Sequence, residues 1–284
     1  MPQIIALMNA LTGVGAIAVL AQVLLLGACG DTSETAQQEI DRTMLAPATK
    51  TEITAAAAKR VLFAHQSVGG DILDGANAIA ADAGVSLNFV EARNAVATGG
   101  GIYHFKVGTN GNPLGKLEDY QALLAQTPPA SFDVAMIKLC YIDFNRGTDA
   151  RRIASAYVQA LEDLQSRHPQ TRFVAVTTPL TTIQSGPKAW MKRLLGKTPA
   201  GYVENARREE FNAVLRGKFG TDRLFDVAKL ESQGGAVPVV FDYEGRHFDA
   251  LDPALSSDGG HLNDAGKRVV GSAFVKFLAT LPAS

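Results

Sequence analysis

The feature that most limits the fold is an alternation along the chain. Short apolar runs occur at Val61–Ala64, Leu87–Val90, Val134–Leu139, Phe173–Thr177 and Leu224–Val227, and each is of strand rather than helix length. Between and after them lie helix-length stretches at 71–83, 114–126, 149–167, 203–218 and 264–281. In the fourth, Val203, Ala206, Phe211, Val214 and Leu215 gather near one helical face. The last opens behind Asn263, whose side chain suits a helix N-cap. Strands that alternate with such helices return through right-handed crossovers, so they lie parallel and helices cover both faces. The expectation is an α/β fold with a five-stranded parallel sheet, with a hairpin across Val239–Tyr243 and Arg246–Ala250 as an addition. Functional groups in such a sheet collect at the carboxyl ends of the strands. Residues 65–71, 93–113, 140–149, 178–202 and 228–263 are therefore where chemistry is expected.

The amino-terminal region follows a different rule. No charged residue occurs from Ile4 to Ala28, and the run ends Leu26-Gly27-Ala28-Cys29. Small residues before a cysteine, after an apolar stretch, resemble the lipobox of bacterial lipoproteins. That resemblance implies a signal peptide over 1–28, a diacylglycerol on Cys29, and a cell-envelope location outside the cytoplasm. No Lys or Arg precedes the run, and it is long enough to span a bilayer as an uncleaved anchor. Either way the membrane is a partner and the domain lies beyond it. Residues 30–50 are polar and aperiodic, as a flexible connection should be. The organisation expected is a tether over 29–58, with a short helix in the alanine-rich stretch 52–60, and a domain over 59–284.

Charge excludes one class of partner. The net charge is −1 with 19% charged residues, and nucleic-acid binding needs a concentrated basic surface. The second cysteine, Cys140, sits in an apolar run and is read as a small buried hydrophobe, with a Cys29–Cys140 disulfide as the lesser alternative. His65, His104, His247 and His261 show no His-x-x-x-His spacing, and no Cys-x-x-Cys occurs, so no metal site is expected. The glycine-rich stretch 99–111 lacks Gly-Lys-Ser/Thr and is not a P-loop.

Two motifs carry chemistry. Ser67 follows the first strand in Ala64-His65-Gln66-Ser67-Val68-Gly69-Gly70. A serine on a strand-to-helix turn exposes its hydroxyl, and the N–H groups behind it can stabilise an oxyanion. Taken alone, a serine beside glycines is more often a turn or a cap. The second motif is Asp258-Gly259-Gly260-His261, just before the last helix. A carboxylate three residues ahead of a histidine can hold its Nδ1–H and free Nε2 as a general base. Its plainer reading is a helix-entry loop with a surface histidine.

Together, the nucleophile after the first strand and Asp-x-x-His before the last helix resemble the SGNH (GDSL-like) hydrolase superfamily, over residues 60–284. That resemblance implies a three-layer α/β/α sandwich and hydrolysis of esters of lipids or acylated sugars. Ser67, Asp258 and His261 are then the triad, and no cofactor is required. The Gly-x-Ser-x-Gly elbow of α/β-hydrolases fits less well, because several strands precede the nucleophile there. Two departures mark a divergent branch. His65-Gln66 replaces Gly-Asp before the serine, and the block Gly-x-Asn-Asp appears as Cys140-Tyr141-Ile142-Asp143. Ile142 therefore stands where the resemblance implies an oxyanion-binding asparagine. Asn110 or Asn145 is the candidate substitute. The glycine donor is sought among Gly101, Gly108 and Gly111, with Gly108 preferred.

The expected activity is that of a serine esterase on an acylated small molecule, glycan or lipid, with acyl transfer to a sugar hydroxyl left open. The alternative is a non-catalytic envelope protein that keeps the fold to bind glycans or to support assembly. Segment 187–197 is basic and amphipathic and suits a lid or a membrane-facing patch. A surface helix that packs Trp190 on the domain is its plainer reading.

Overall fold

The computed structural model describes residues 43–282, apart from Ala92, Asn94, Ala95 and Pro129. The apolar run, Cys29 and the first part of the tether lie outside the described residues. None of the described helices is long and apolar enough to cross a membrane.

The strands are β1 (Arg60–His65), β2 (Phe89–Glu91), β3 (Gly101–Lys106), β4 (Val134–Ile137), β5 (Arg172–Val176) and β6 (Leu224–Phe225). All pair in parallel, in the order β2-β3-β1-β4-β5-β6. The helices are α1 (Lys50–Ala57), α2 (Ser67–Asp82), α3 (Pro113–Ala125), α4 (Ala150–Arg167), α5 (Gly186–Leu194), α6 (Tyr202–Lys218), α7 (Val227–Gln233) and α8 (Asp264–Thr280). The two-residue period of a strand divides the core. Val61, Phe63, Val134, Met136, Val174 and Val176 pack with α1, α2, α7 and α8 on one face. Leu62, Ala64, Ala135, Ile137, Phe173 and Ala175 pack with α3, α4 and α6 on the other. The result is a three-layer α/β/α sandwich. The expected hairpin is present as β7 (Val240–Tyr243) and β8 (Arg246–Asp249), antiparallel.

The sheet has six strands rather than the expected five. The additional one, β3, lies inside the glycine-rich stretch assigned to a loop. Gly99 and Gly100 end just before it, and Ile102, Tyr103 and Phe105 are buried. Three β-branched or aromatic side chains between two neighbouring strands outweigh adjacent glycines, because strand preference is mostly a matter of packing.

The folded body also begins earlier than expected. Thr49 and Glu52 form a reciprocal capping box on α1. Ile53 and Ala56 are buried, and Met44, Leu45 and Ala48 pack against the same core. Residues 44–58 thus belong to the body rather than to a tether.

One helix pair sets the position of the site. A Cβ on Gly75 of α2 would lie 1.8 Å from the Lys267 carbonyl oxygen, and a Cβ on Gly271 of α8 would lie 2.4 Å from the Ala76 nitrogen. The two backbones cross where only glycine fits. This brings the start of α2 beside the loop that enters α8.

Candidate active site

Ser67 is the first residue of α2 and directly follows Gln66, the extended N-cap after β1. Its side chain is exposed. Gly69 is required behind it, since a Cβ there would fall 2.3 Å from the His65 side chain. The N–H groups of Ser67 and Val68, first in the helix, have no intrahelical acceptor. They sit at the positive end of the helix dipole.

The entry loop of α8 supplies the other two groups. His261 Nε2 lies 3.0 Å from Ser67 Oγ, and His261 Nδ1 lies 2.7 Å from Asp258 Oδ2. Asp258 Oδ1 accepts from the N–H groups of Gly260 (2.9 Å) and His261 (2.8 Å). The backbone N–H of His261, its imidazole and the Gly260 N–H together hold this carboxyl far below the usual carboxylate range. An ionised Asp258 fixes the Nδ1–H tautomer, so Nε2 accepts from the serine hydroxyl. Gly259, at φ +94°, makes the turn. Ser256 Oγ donates to the His261 carbonyl and accepts from the Gly259 N–H. Asn263 caps α8 by accepting from the Gly266 N–H at 3.0 Å. The Tyr141 ring meets His261 edge-on at 5.8 Å and covers Gly260.

The residues expected to complete an oxyanion hole are arranged differently. The Gly108 N–H donates to Asp119 Oδ2 at 2.9 Å, so it is already committed. The Gly111 N–H is committed likewise, to Asp143 Oδ1 at 2.8 Å. Gly101 opens β3 at the amino edge of the sheet, where its N–H meets the Lys59 carbonyl. Asn145 Oδ1 accepts from the Gly147 N–H at 2.9 Å, in a local turn. Asn110 Oδ1 accepts from Lys116 Nζ at 2.9 Å, which leaves its NH2 group to donate. Among the described residues no hydrogen bond joins Asn110 or Asn145 to Ser67 or His261.

Sequence reasoning missed what organises these loops. Lys116 and Asp143 form a fully buried ion pair at 2.7 Å. Asp143 also accepts from the Cys140 N–H at 2.7 Å. One carboxylate therefore joins the loop before α3 to the loop after β4. Gln66 ties the serine turn to the first of these loops, donating to the Val107 carbonyl at 2.6 Å. Arg208 fixes the second, through the Tyr141 carbonyl at 3.0 Å. Burial draws Arg208 down to about 10. The available signals were Asp143 in its block and the unusual His65-Gln66 pair. Nothing marked Lys116 or Arg208.

Beneath Ser67, His65 Nδ1 donates to the Gln66 carbonyl (2.8 Å), and His65 Nε2 accepts from His104 Nδ1 (3.1 Å). Burial pulls His65 down to about 4, so it is neutral at pH 7. Glu231 is also buried, under the loop after β5. Its Oε2 accepts from the Leu180 N–H at 2.6 Å, and burial pushes it up to about 8. Cys140 is a free, buried thiol.

The six parallel strands, the serine after β1 and the Asp-x-x-His loop before α8 reproduce the layout implied by the sequence resemblance. The fold is an α/β/α sandwich around a parallel sheet. No family model matches the chain, and no curated protein matches its sequence. Solved structures are similar at low identity. One is the periplasmic domain of a Salmonella ser. Paratyphi A lipopolysaccharide acetyltransferase, at 13% identity and TM-score 0.41, over 86% of this chain and 95% of that one. A possible lipase from Chitinophaga pinensis is 13% identical over 76% and 95%, at TM-score 0.39. A carbohydrate esterase family 2 enzyme plus carbohydrate binding domain from Corynascus thermopiles is 15% identical over 82% and 67%, at TM-score 0.35. At these identities the similarity is one of chain layout.

Proposed function

We propose that this chain is a serine esterase that cleaves carboxylic esters through an acyl-enzyme. The observation that carries the reading is the unbroken hydrogen-bond chain Ser67–His261–Asp258, at 3.0 and 2.7 Å. Ser67 Oγ attacks the ester carbonyl as Nε2 of His261 takes its proton. Asp258 holds the imidazole in the required tautomer and stabilises its charged form. The oxyanion meets the N–H groups of Ser67 and Val68 at the head of α2. Asn110 is the side-chain donor in this reading, because Lys116 engages its oxygen and polarises the amide toward donation. His261 then protonates the leaving alcohol, and the acyl-enzyme is resolved by water activated at the same nitrogen. A sugar hydroxyl in place of that water would make the reaction an acyl transfer.

The substrate class proposed is an acylated envelope polysaccharide or lipid. It follows from the second part of the proposal: residues 1–28 as signal peptide, Cys29 as lipidated residue, and a location in the cell envelope outside the cytoplasm. Cys29→Ser should then abolish lipid labelling and release the protein from the membrane. Equal retention without lipid label in either form would support an uncleaved anchor.

One observation favours the rival, a non-catalytic glycan-binding or assembly protein. The N–H groups of Gly108 and Gly111 are both committed elsewhere, and Ile142 replaces the asparagine. The two readings separate on labelling by a fluorophosphonate, read by intact mass. The esterase reading expects one adduct on the wild type and none on Ser67→Ala. An unreactive wild type that also leaves short acyl esters intact overturns it.

A further inference from the structure

The segment between β5 and α6 projects an unusual surface. The Thr182 N–H donates to the Gly259 carbonyl at 2.8 Å, and the Gln184 N–H donates to the Ala200 carbonyl at 2.9 Å. The excursion that carries α5 is thus closed at its base and rooted against the Asp258–His261 loop. On it, Trp190, Met191, Leu194 and Leu195 are 63%, 57%, 70% and 65% exposed. Trp190 is not packed on the domain, contrary to the plainer sequence reading. Four large apolar side chains on one short helix and its C-cap form a patch, which single scattered residues would not.

Their order round the helix is informative. At about 100° per residue, Trp190, Leu194, Met191 and Leu195 follow one another across one side. Lys188 and Lys192 come next, beside the apolar stripe. Ala189 and Arg193 occupy the opposite side. Ala189 is buried, and Arg193 stacks on and hydrogen-bonds Tyr202. The helix therefore rests on the body by its own inner face, and the apolar stripe is left over. The charge along this segment has one sign. Lys188, Lys192, Arg193 and Lys197 lie in a stretch, Leu164 to Val203, that contains no Asp or Glu. The whole chain has a net charge of −1, so this density is local.

We infer that α5 is an interfacial helix that seats the domain on an anionic lipid bilayer. Trp190, Met191, Leu194 and Leu195 enter the boundary of the acyl chains, and Lys188, Lys192 and Lys197 lie among the headgroup charges. Apolar area on one side with lysines at its border is what such binding requires. A protein partner or a glycan would not need four projecting apolar side chains flanked along the helix by lysines. The inference does not depend on the esterase reading. If both hold, the root at Gly259 places the bilayer next to Ser67, and the preferred ester is amphiphilic.

Trp190 is the only tryptophan in the chain, so its emission reports on this surface alone. The full-length protein is reconstituted in vesicles of phosphatidylcholine, with or without phosphatidylglycerol, carrying brominated acyl chains. In vesicles containing phosphatidylglycerol, Trp190 emission should shift to the blue, be quenched by bromine, and lose access to aqueous acrylamide. Lys188→Glu should weaken this partitioning at least about fivefold without loss of fold by circular dichroism. Emission that stays solvent-like and unquenched in both vesicle types overturns the inference. Equal quenching with and without phosphatidylglycerol overturns the anionic assignment. Shielding of Trp190 by a soluble short ester in the absence of lipid overturns it in favour of a lid.

Discussion

Two regions at the carboxyl edge of the sheet do opposite things with a buried or bound carboxylate. The loop before α8 is local: among the described residues, the hydrogen bonds of the Asp258 carboxylate go to Gly260 and His261, within three residues of itself. The loops that flank Ser67 on its other side are long-range. There Asp143 gathers Cys140, Gly111 and Lys116 into one buried knot. Local self-bonding fixes a functional group wherever the loop is placed. A long-range knot fixes two loops relative to each other, and it leaves donors available only where the knot does not use them. This is why Gly111, well placed in sequence, has no N–H to offer, while the Gly108 N–H is taken separately by Asp119.

The comparison can be broken most severely at the local end. Ser67→Ala should remove fluorophosphonate labelling and lower kcat by on the order of 10⁶, with the melting temperature unchanged. Asp258→Asn keeps the geometry but supplies the wrong tautomer, and kcat should fall by about 10⁴. A small effect of Asp258→Asn on turnover would mean that the local loop is not the orienting device.

At the long-range end the first effect is on stability. Lys116→Met leaves Asp143 buried and unpaired, a loss of about 3–5 kcal/mol in denaturant unfolding. The double variant Lys116→Met/Asp143→Leu should recover much of it. Failure to recover would show that the Cys140 and Gly111 contacts of Asp143 matter more than the ion pair. Asn110→Ala should lower kcat by about 10²–10³ with KM nearly unchanged. Asn145→Ala should cost at most about 1 kcal/mol of stability and leave kcat alone. Full activity in both leaves the hole to the backbone of α2.

A further effect concerns pH. His65 is at about 4 in the folded chain and about 6.5 when unfolded. The unfolded state therefore binds the extra proton between these values, so stability is complete above 6.5 and declines as pH falls toward 4. The loss approaches about 3 kcal/mol. His65→Gln should flatten that slope in melting curves taken between pH 7 and 4. Glu231 works in the other direction, with stability lost as pH rises from about 4.5 toward about 8.

The same contrast explains what could be read in advance. The alternation of short apolar runs and helical periods was sufficient for the sandwich, and Asp258-Gly259-Gly260-His261 was legible because its chemistry lies within four residues. Gly99–Gly101 hid β3, since a sequence window sees glycines but not the two strands that claim the residues after them. Lys116 was invisible for a similar reason. A lysine inside a helix looks solvated until the partner 27 residues away is known to face it. The N-cap role of Asn263 is local and was anticipated. The crossing of Gly75 and Gly271, which puts α2 against α8, is not local and was not.

That crossing also governs timing. Ser67 and His261 are 194 positions apart, the serine just after the first strand and the histidine just before the last helix. A chain that emerges amino end first displays its serine early, as an alcohol with nothing to take its proton. The proposed proton acceptor joins it only when α8 packs on α2 through Gly271 and Gly75. On the proposed esterase reading, the triad is complete only once α8 is in place.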